Sequence, residues 1–216
     1  MDVDHAQSAP AAIGLVCAIR SAEGAVGSLA GIVVAIHGLD VLEIVFDGFV
    51  IIIGGDITVQ PSPTPAHQST IGEIYAELRS PFQRGRGGPG GWWLIQDVDV
   101  EFGPHDICRP DISGWRKERV PTFPAERPVR HRPDWLCEGL SPRTALHDQG
   151  DKRGIYQRAE VPWYWLVDPL NRTLSVLRLV PDGYVVDRVV GDQGSAALPP
   201  FEAVAIDLAS IFPPSG

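Results

Sequence analysis

Acidic side chains interrupt two segments that otherwise have the composition of buried strands. Asp111 follows Pro110 within ICRPDISGW, and Glu138 follows Leu136 and Cys137 near the end of RPDWLCEGL. A buried carboxylate carries a large desolvation cost unless it is paired or binds a cation. Because carboxylates on neighbouring strands can share one divalent ion, Asp111 and Glu138 are candidate ligands of Mg²⁺ or Mn²⁺, which prefer oxygen donors.

A second polar pair, Asp148 and Lys152, lies four residues apart and therefore on one face of a predicted helix. One interpretation is a surface ion pair that contributes about 0.2–0.5 kcal/mol. In the other, Lys152 faces a metal-activated water, where a fixed ammonium favours hydroxide and an anionic transition state. The spacing alone favours the surface pair.

Most of the usual catalytic motifs are absent from the sequence. It contains no GxSxG, HExxH, GxxxxGK or CxxC pattern, which disfavours serine-nucleophile, zinc-protease and phosphate-loop chemistry and a structural zinc. Gly85, Gly87 and Gly90 do match GxGxxG, the spacing of a dinucleotide-binding turn. That motif requires a strand before it and a helix after it, whereas here a predicted helix precedes and a predicted strand follows. The nucleotide interpretation is therefore rejected.

The charge distribution restricts the class of partner. A formal net charge of −9 over 216 residues argues against a surface coated for general nucleic-acid binding. The charge is uneven, however, at −8 over residues 1–78, +3 over 79–132 and −4 over 133–216. Charge alone favours a solvated face for the basic middle block, whose ten cations are Arg79, Arg84, Arg86, Arg109, Arg116, Lys117, Arg119, Arg127, Arg130 and Arg132.

Length and cysteine content predict one domain in a reducing compartment. The 216 residues can bury a sizeable core, and the three cysteines form no CxxC pair, so we expect reduced thiols and a cytoplasmic location. The charge-free stretch from 24 to 39 is shorter than a membrane span, and the N-terminus lacks the basic residues of a secretory signal. We interpret residues 1–40 as an N-terminal extension of uncertain order, with weak membrane association as the lesser alternative, and 41–216 as a single domain.

Periodicity and turn residues give an approximate order of elements. Strands over 41–60 are separated by Asp47-Gly48 and Gly54-Gly55, dipeptides typical of hairpins. A helix over 66–80 follows, with an apolar face and an end before Pro81. Strands are then expected at 92–101, 106–115 and 132–140, a helix at 143–159 opened by Ser141-Pro142, a strand at 162–168 and a hairpin turning at 181–183. The helix face comprises Ile71, Ile74, Tyr75 and Leu78.

Several strings in this order resemble a known family. PSPTPAHQ, GRGGPGGWW, RPDISGWRKERVP and the long string from Pro133 to Pro169 are similar to the Uma-two (Uma2) family of restriction-endonuclease-like proteins, placed in the PD-(D/E)XK nuclease superfamily. The resemblance runs from about Gly54 to the C-terminus. It implies an α/β fold with a restriction-endonuclease-like core, a mixed central β-sheet flanked by helices, to which β-hairpins are added at the N- and C-terminal sides.

The resemblance also implies a site and an activity. Asp111 matches the family's Pro-Asp motif and Glu138 its (D/E)xK acid, while Leu140 stands where the motif's lysine would be. The matching lysine is Lys152, with Asp148 one turn earlier. Asp111, Glu138 and the carbonyl of Gly139 would then hold Mg²⁺ or Mn²⁺ in an endonuclease that hydrolyses DNA.

A His-Gln pair of the family matches His67 and Gln68, which either orient the site or cap the first helix. Capping is the favoured interpretation. Three positions depart from the family pattern. Ile51 replaces a family Glu, while Glu160 and Trp163 replace a Gly and a Glu; we interpret Trp163 as a packing change.

Three functions therefore stay open. The first is a metal-dependent DNA endonuclease, with DNA as substrate, no membrane partner and a homodimer as a further expected partner. The second is a weak or inactive nuclease-fold protein that serves as a binding or assembly module, which the Ile51 replacement favours. The third is a hydrolase of another phosphorylated substrate.

Overall fold

A computed structural model describes residues 16–20, 31–35, 42–45, 48–140 and 148–214. The chain divides into two units, Met1–Phe49 and Val50–Gly216. The described part of the first unit contains β1 (Val16–Arg20), β2 (Gly31–Ala35) and β3 (Leu42–Val45), which form an antiparallel sheet in that order. The extension proposed for residues 1–40 falls mostly outside the described residues, and its uncertain order stays a prediction.

From residue 48 onwards, the described elements are two α-helices and the strands of a six-stranded, a four-stranded and a two-stranded sheet. They are β4 (Gly48–Ile53), β5 (Asp56–Pro61), α1 (Pro65–Leu78), β6 (Trp92–Gln96), β7 (Val100–Gly103), β8 (Asp106–Cys108), β9 (Ile112–Arg116), β10 (Trp135–Gly139), α2 (Asp148–Arg158), β11 (Trp163–Asp168), β12 (Thr173–Val180), β13 (Gly183–Val190), β14 (Ser195–Ala196) and β15 (Ile206–Asp207).

The central sheet has six strands in the order β13-β12-β11-β10-β9-β6. Its strands are antiparallel except for β10 and β11, which run parallel. Parallel neighbours need a crossover, and α2 lies on the connection between them. The order α1, β6, β9, β10, α2, β11 is the predicted nuclease-like core, and the C-terminal hairpin β12–β13 extends its sheet. The α/β fold class is therefore confirmed.

The first helix begins as the sequence predicts but ends differently. The Thr64 hydroxyl accepts a hydrogen bond from the His67 backbone N–H at 3.3 Å, and Pro65 occupies the first turn. Ile71, Ile74 and Leu78 are buried along one face, as their spacing indicates. Instead of stopping before Pro81, the chain continues through a π-helical turn, Arg79–Gln83. The predicted opening of the second helix at 141–142 lies outside the described residues.

Two predicted strands are each divided between different sheets. The segment predicted as strand 92–101 forms β6 in the central sheet and β7 in a four-stranded sheet of order β5-β4-β8-β7. The segment 106–115 likewise forms β8 and β9. Asp97 breaks the first with a φ of +49°, and Pro110, which lacks a backbone N–H, interrupts the second. Apolar alternation continues across both breaks, so the pattern alone suggested continuous strands.

Apolar side chains cover both faces of the central sheet. On one face, α1 and the C-terminal segment pack over Trp135 and Cys137 of β10, where the Phe201 ring makes T-shaped contacts with the rings of Trp165 and Trp135. On the other face, α2 packs through Ile155 and Tyr156 over Leu136 and Tyr164. The alternation along β10 therefore directs Glu138 towards α2.

Two cysteine side chains agree with the expectation of reduced thiols. Cys108 and Cys137 are buried free thiols. Within the described ranges, no helix is long and apolar enough to cross a membrane.

Candidate active site at one end of the central sheet

The predicted acidic pair meets at one end of the central sheet. Cys137 pairs with Ile112 in the β9–β10 ladder, so continuing the ladder by one residue sets Asp111 opposite Glu138. The Gly139 N–H donates to Asp111 Oδ2 at 2.6 Å. Asp111 and Glu138 are thus neighbours across the strand ends, and each influences the titration of the site.

Asp111 owes its position to the two breaks that separate the sheets. The Asp97 N–H donates to the Asp111 carbonyl at 3.2 Å, which ties the two breaks together. Beside them, the Arg109 guanidinium contacts Asp99 Oδ1 at 2.7 Å. The chain therefore leaves the central sheet after β6 and returns to it at the same end through β9, which Asp111 directly precedes.

The first helix, α1, contributes His67 to this site. Its Nε2 lies 3.1 Å from Asp111 Oδ1, and its ring is buried against Gly139. A Cβ at position 139 would lie 2.7 Å from both Cε1 and Nδ1 of that ring, so the histidine requires a glycine there. Thr64, rather than His67 or Gln68, caps α1, and Gln68 is exposed. The capping interpretation of the His-Gln pair is therefore wrong.

The carboxylate of Glu138 is buried among donors from α2. Lys152 Nζ donates to its two oxygens at 3.3 and 3.2 Å, and the Tyr156 hydroxyl donates to Oε1 at 2.5 Å. Glu138 is 6% exposed and Lys152 7% exposed. The interpretation of Lys152 as part of a solvated surface pair is therefore wrong. Asp148 begins α2, and its side chain lies outside the described residues.

Burial and charge act in opposite directions on these groups. Burial raises the pKa of Glu138, although the Lys152 charge and the Tyr156 hydrogen bond oppose that shift. Burial alone would lower the pKa of Lys152, but the negative charges of Glu138 and Asp111 and the hydrogen bond to Glu138 raise it. Lys152 is therefore an ammonium at neutral pH. Burial also raises the pKa of the neighbouring Cys108 thiol to about 12, so that thiol stays protonated.

Two further polar residues of the site escaped the sequence analysis. Tyr156 lies four residues after Lys152, a helical spacing that could have identified it. Burial and repulsion from Asp111 raise the pKa of Asp97, which lies close enough to His67 and Arg109 for their charges to oppose that shift. The tendency of aspartate to occupy turns was the available signal for Asp97, but the apolar alternation around it suggested a strand interior.

The oxygen atoms present fit a hard divalent cation. Besides burial, the charge of Asp111 raises the pKa of Glu138, a repulsion that a cation would relieve. Each oxygen of Asp111 accepts one hydrogen bond or ion-pair contact and retains a further lone pair. Among the described residues, no group of three His, Cys, Asp or Glu side chains is arranged to hold a metal. A site here therefore requires main-chain or solvent oxygens in addition.

The three departures from the family pattern have different surroundings. Ile51 is buried in β4 and shares its face with Ile53, which packs against the α2 side of the fold. Trp163 packs against the α1 side, in agreement with its interpretation as a packing change. Glu160 follows α2 with a φ of +57°, a backbone conformation that suits the glycine of the family pattern.

The fold and site define a restriction-endonuclease-like α/β protein. The crystal structure of a putative nuclease belonging to DUF820 from Anabaena variabilis ATCC 29413 is similar to this chain, with a TM-score of 0.58 at 23% sequence identity. The match covers 76% of this chain and 91% of that chain, and at this identity it shows a shared fold. The model of the family Uma2, described as "Putative restriction endonuclease", matches residues 47–209, so the chain belongs to that family. Among curated proteins, no sequence matches.

Proposed function

We propose that this protein is a metal-dependent endonuclease that hydrolyses DNA phosphodiester bonds. The observation that supports it is the meeting of Asp111, Glu138 and Lys152 at one end of the sheet, where a phosphate could approach a carboxylate pair and an ammonium together. The chain belongs to a family whose description names a restriction endonuclease, and we therefore propose DNA as the substrate.

The residues that would hold Mg²⁺ or Mn²⁺ are Asp111, Glu138 and the carbonyl of Gly139. When bound, the cation supplies Lewis-acid stabilisation of the charge that develops on the phosphoryl oxygens. The Gly139 N–H and His67 fix the Asp111 carboxylate from two directions, which limits its rotation. Tyr156 fixes Glu138 in the same way.

Lys152 supplies positive charge in a buried part of the site. Its ammonium, held by Glu138, orients the attacking water and offsets the negative charge of the transition state. Asp148, one helical turn earlier, is proposed to orient Lys152. Because Lys152 remains protonated at neutral pH, it acts as a positioning and electrostatic group and accepts no proton from the water.

The test is a nuclease assay with Mg²⁺ or Mn²⁺ on plasmid and single-stranded DNA. Asp111→Asn, Glu138→Gln and Lys152→Met should each reduce cleavage by at least about 100-fold. Amide substitutions are preferred because they keep the size and one accepting oxygen of each carboxylate. Glu138→Ala would leave the buried Lys152 ammonium with no acceptor at this position, a loss of about 3–5 kcal/mol of stability. Asp182→Asn, in the exposed turn between β12 and β13, is the matched control and should cleave like wild type. Equal cleavage by all five proteins would refute the assigned site.

The binding-module alternative is supported by Ile51. A family acid is replaced there by a buried apolar residue, so this chain has one carboxylate fewer on the α2 side. An assay in which the wild-type protein binds DNA but cleaves none, with either metal, would favour the module over the endonuclease. The homodimer and the cytoplasmic location stay predictions.

A further inference from the structure

The ten cations of the basic middle block separate into two groups. Five of them form ion pairs with carboxylates, at distances from 2.7 to 3.6 Å. The other five form no ion pair with a carboxylate among the described residues. The paired cations are Arg109, Arg119, Arg127, Arg130 and Arg132; the remainder, which we call the glycine-loop cations, are Arg79, Arg84, Arg86, Arg116 and Lys117.

The glycine-loop cations share one region of the fold. Arg84 ends the π-helical turn that Arg79 begins, and Arg86 lies in the glycine-rich loop that follows. Lys117 Nζ donates to the Gln83 carbonyl at 3.1 Å. Arg116 is the cross-strand partner of Trp92, the first residue after the loop.

This loop has a fixed conformation. The Gly90 N–H donates to the Pro81 carbonyl at 2.8 Å, and the Lys117 N–H to the Gly91 carbonyl at 2.8 Å. A Cβ at Gly88 would lie 2.5 Å from the Cβ of Pro81, so the loop packs tightly on the π-helical turn. The loop therefore presents its charges without a large ordering cost on binding.

Aromatic rings position the two innermost cations. Arg116 Cζ lies 4.5 Å from the centre of the Trp92 ring, and Lys117 Nζ lies 4.1 Å from that of Trp93. Glu118 and Glu202 line the same shallow depression as Arg116 and reduce the charge on that side. Arg84 and Arg86 are exposed and carry the outward-facing charge.

The loop lies far from the acidic end of the sheet. Asp111 and Arg116 are separated by the length of β9, about 16 Å at 3.3 Å per residue. His67 and Arg79 are separated by α1, about 18 Å at 1.5 Å per residue. Consecutive phosphates of one DNA strand advance about 3.4 Å along the helix axis, so a bound strand would span this distance in about five nucleotides.

We propose that the glycine-loop cations bind a nucleic acid. The phosphates that they contact lie several nucleotides away from the phosphodiester bond that is cleaved at Asp111. The position of the phosphodiester bond at Asp111 rests on the proposed function. Phosphate binding by the glycine-loop cations is independent of it. The molecule as a whole has a net charge of −9, which disfavours nucleic-acid binding over its general surface. The loop provides a local positive surface instead. The cations that pair with carboxylates contribute less, because four carboxylates compensate most of their charge, with Asp99 shared by Arg109 and Arg127.

The test measures affinity for a fluorescent 30-base-pair duplex in EDTA, by anisotropy over a range of salt concentrations. Arg84→Gln with Arg86→Gln should weaken binding about tenfold at low salt and reduce the slope of log K against log salt by nearly two. Arg127→Gln with Arg130→Gln removes the same charge from exposed but paired arginines and is the matched control. It should stay within about twofold of wild type.

Each other outcome contradicts the proposal. Equal loss in both double variants would mean that only net charge matters, and no measurable duplex binding by wild type would remove nucleic acid as the partner. Full displacement of the duplex by polyglutamate at equal charge would assign the surface to acidic polypeptides.

In a cleavage assay, the Arg84/Arg86 variant should raise KM and leave kcat within about twofold. Normal cleavage with unchanged affinity would overturn this inference alone, and duplex binding with no cleavage would overturn the endonuclease alone.

Discussion

At the residue scale, burial and neighbouring negative charges act in opposite directions on the pKa of His67. Burial lowers its pKa, while the hydrogen bond and charge of Asp111, with smaller contributions from Glu138 and Asp97, raise it above 6.5. A raised histidine pKa means that the protonated ring stabilises the folded state. That stabilisation is complete below 6.5 and is lost as the pH rises through the higher pKa of the folded protein.

Asp111→Asn should therefore lower the pKa of His67. The substitution removes the charge and the ion-pair partner while burial, which lowers the pKa, remains. NMR titration of labelled histidine measures the change directly. Asp97→Asn is the control with a smaller expected decrease, since Asp97 exerts the weakest of these influences. A His67 pKa that is the same in Asp111→Asn and wild type would contradict the contact.

Tyr156→Phe should raise the pKa of Glu138 and cost about 1.5–3 kcal/mol of stability, because a donor to a buried carboxylate is lost. A ligand that must be ionised would then require a higher pH, so the acidic limb of the activity profile should move upward. Thermal unfolding and a pH–rate profile measure both effects.

Tyr184→Phe is the matched control for that substitution. Its hydroxyl donates to the Val161 carbonyl at 2.6 Å, so it also loses one buried hydrogen bond. We expect lower stability and an unchanged pH profile. If both variants shift the profile equally, Tyr156 has only a structural role.

Gly139→Ala should displace the His67 ring, because the added Cβ would lie 2.7 Å from two of its atoms. We expect a loss of about 1–3 kcal/mol of stability, measured by urea unfolding, together with reduced cleavage. Gly154→Ala on α2 is the control: its Cβ would meet only the mobile end of Arg158, at 3.4 Å, and should stabilise the helix by about 0.5–1 kcal/mol. A neutral Gly139→Ala would show that the ring has room to move.

At the scale of elements, the end of α2 has a conformation that its residue disfavours. Glu160 adopts a φ of +57°, and its N–H donates to the Gln157 carbonyl at 3.0 Å, as at a helix C-terminus. Its side chain is 79% exposed, and Arg132 lies 3.6 Å away, so that ion pair adds little. The residue is retained at a backbone position that favours glycine.

Glu160→Gly should therefore raise stability by about 1 kcal/mol, since glycine adopts positive φ without strain. Denaturant unfolding of the variant measures the change. Arg132→Gln removes the same ion pair without altering the backbone and should stay within about 0.5 kcal/mol of wild type. A decrease in stability on Glu160→Gly would mean that the ion pair outweighs the strain.

At the scale of the whole molecule, the described site and core residues belong to one unit. The three apolar clusters and the site residues all lie within Val50–Gly216. We therefore expect a fragment of residues 41–216, which retains β4, to unfold cooperatively and to match the full chain in the cleavage and duplex-binding assays proposed above. Circular dichroism melting and the assays above provide the measurement. Loss of the cooperative transition in the fragment, with the full chain folded, would contradict the domain boundary placed at residue 40.

The sequence by itself determined the order of the elements and the residues of the acidic pair. The 3.6-residue spacing of Ile71, Ile74 and Leu78 specified the buried face of α1, because helical periodicity is a local property. Carboxylates within apolar segments pointed to Asp111 and Glu138 for the same local reason, and the family resemblance added Lys152.

Only the tertiary structure decided which groups surround that pair. The contact of His67 with Asp111 and the burial of Lys152 with Tyr156 against Glu138 join residues 14 or more positions apart. Division of 92–101 and 106–115 between two sheets depends on the pairing of β6 with β9 in one sheet and of β7 with β8 in the other. Local propensity carries no information about such partners, since they are chosen by packing and by the need to satisfy buried charge. The same reasoning separates the paired arginines from the glycine-loop cations, which composition had counted as one basic block.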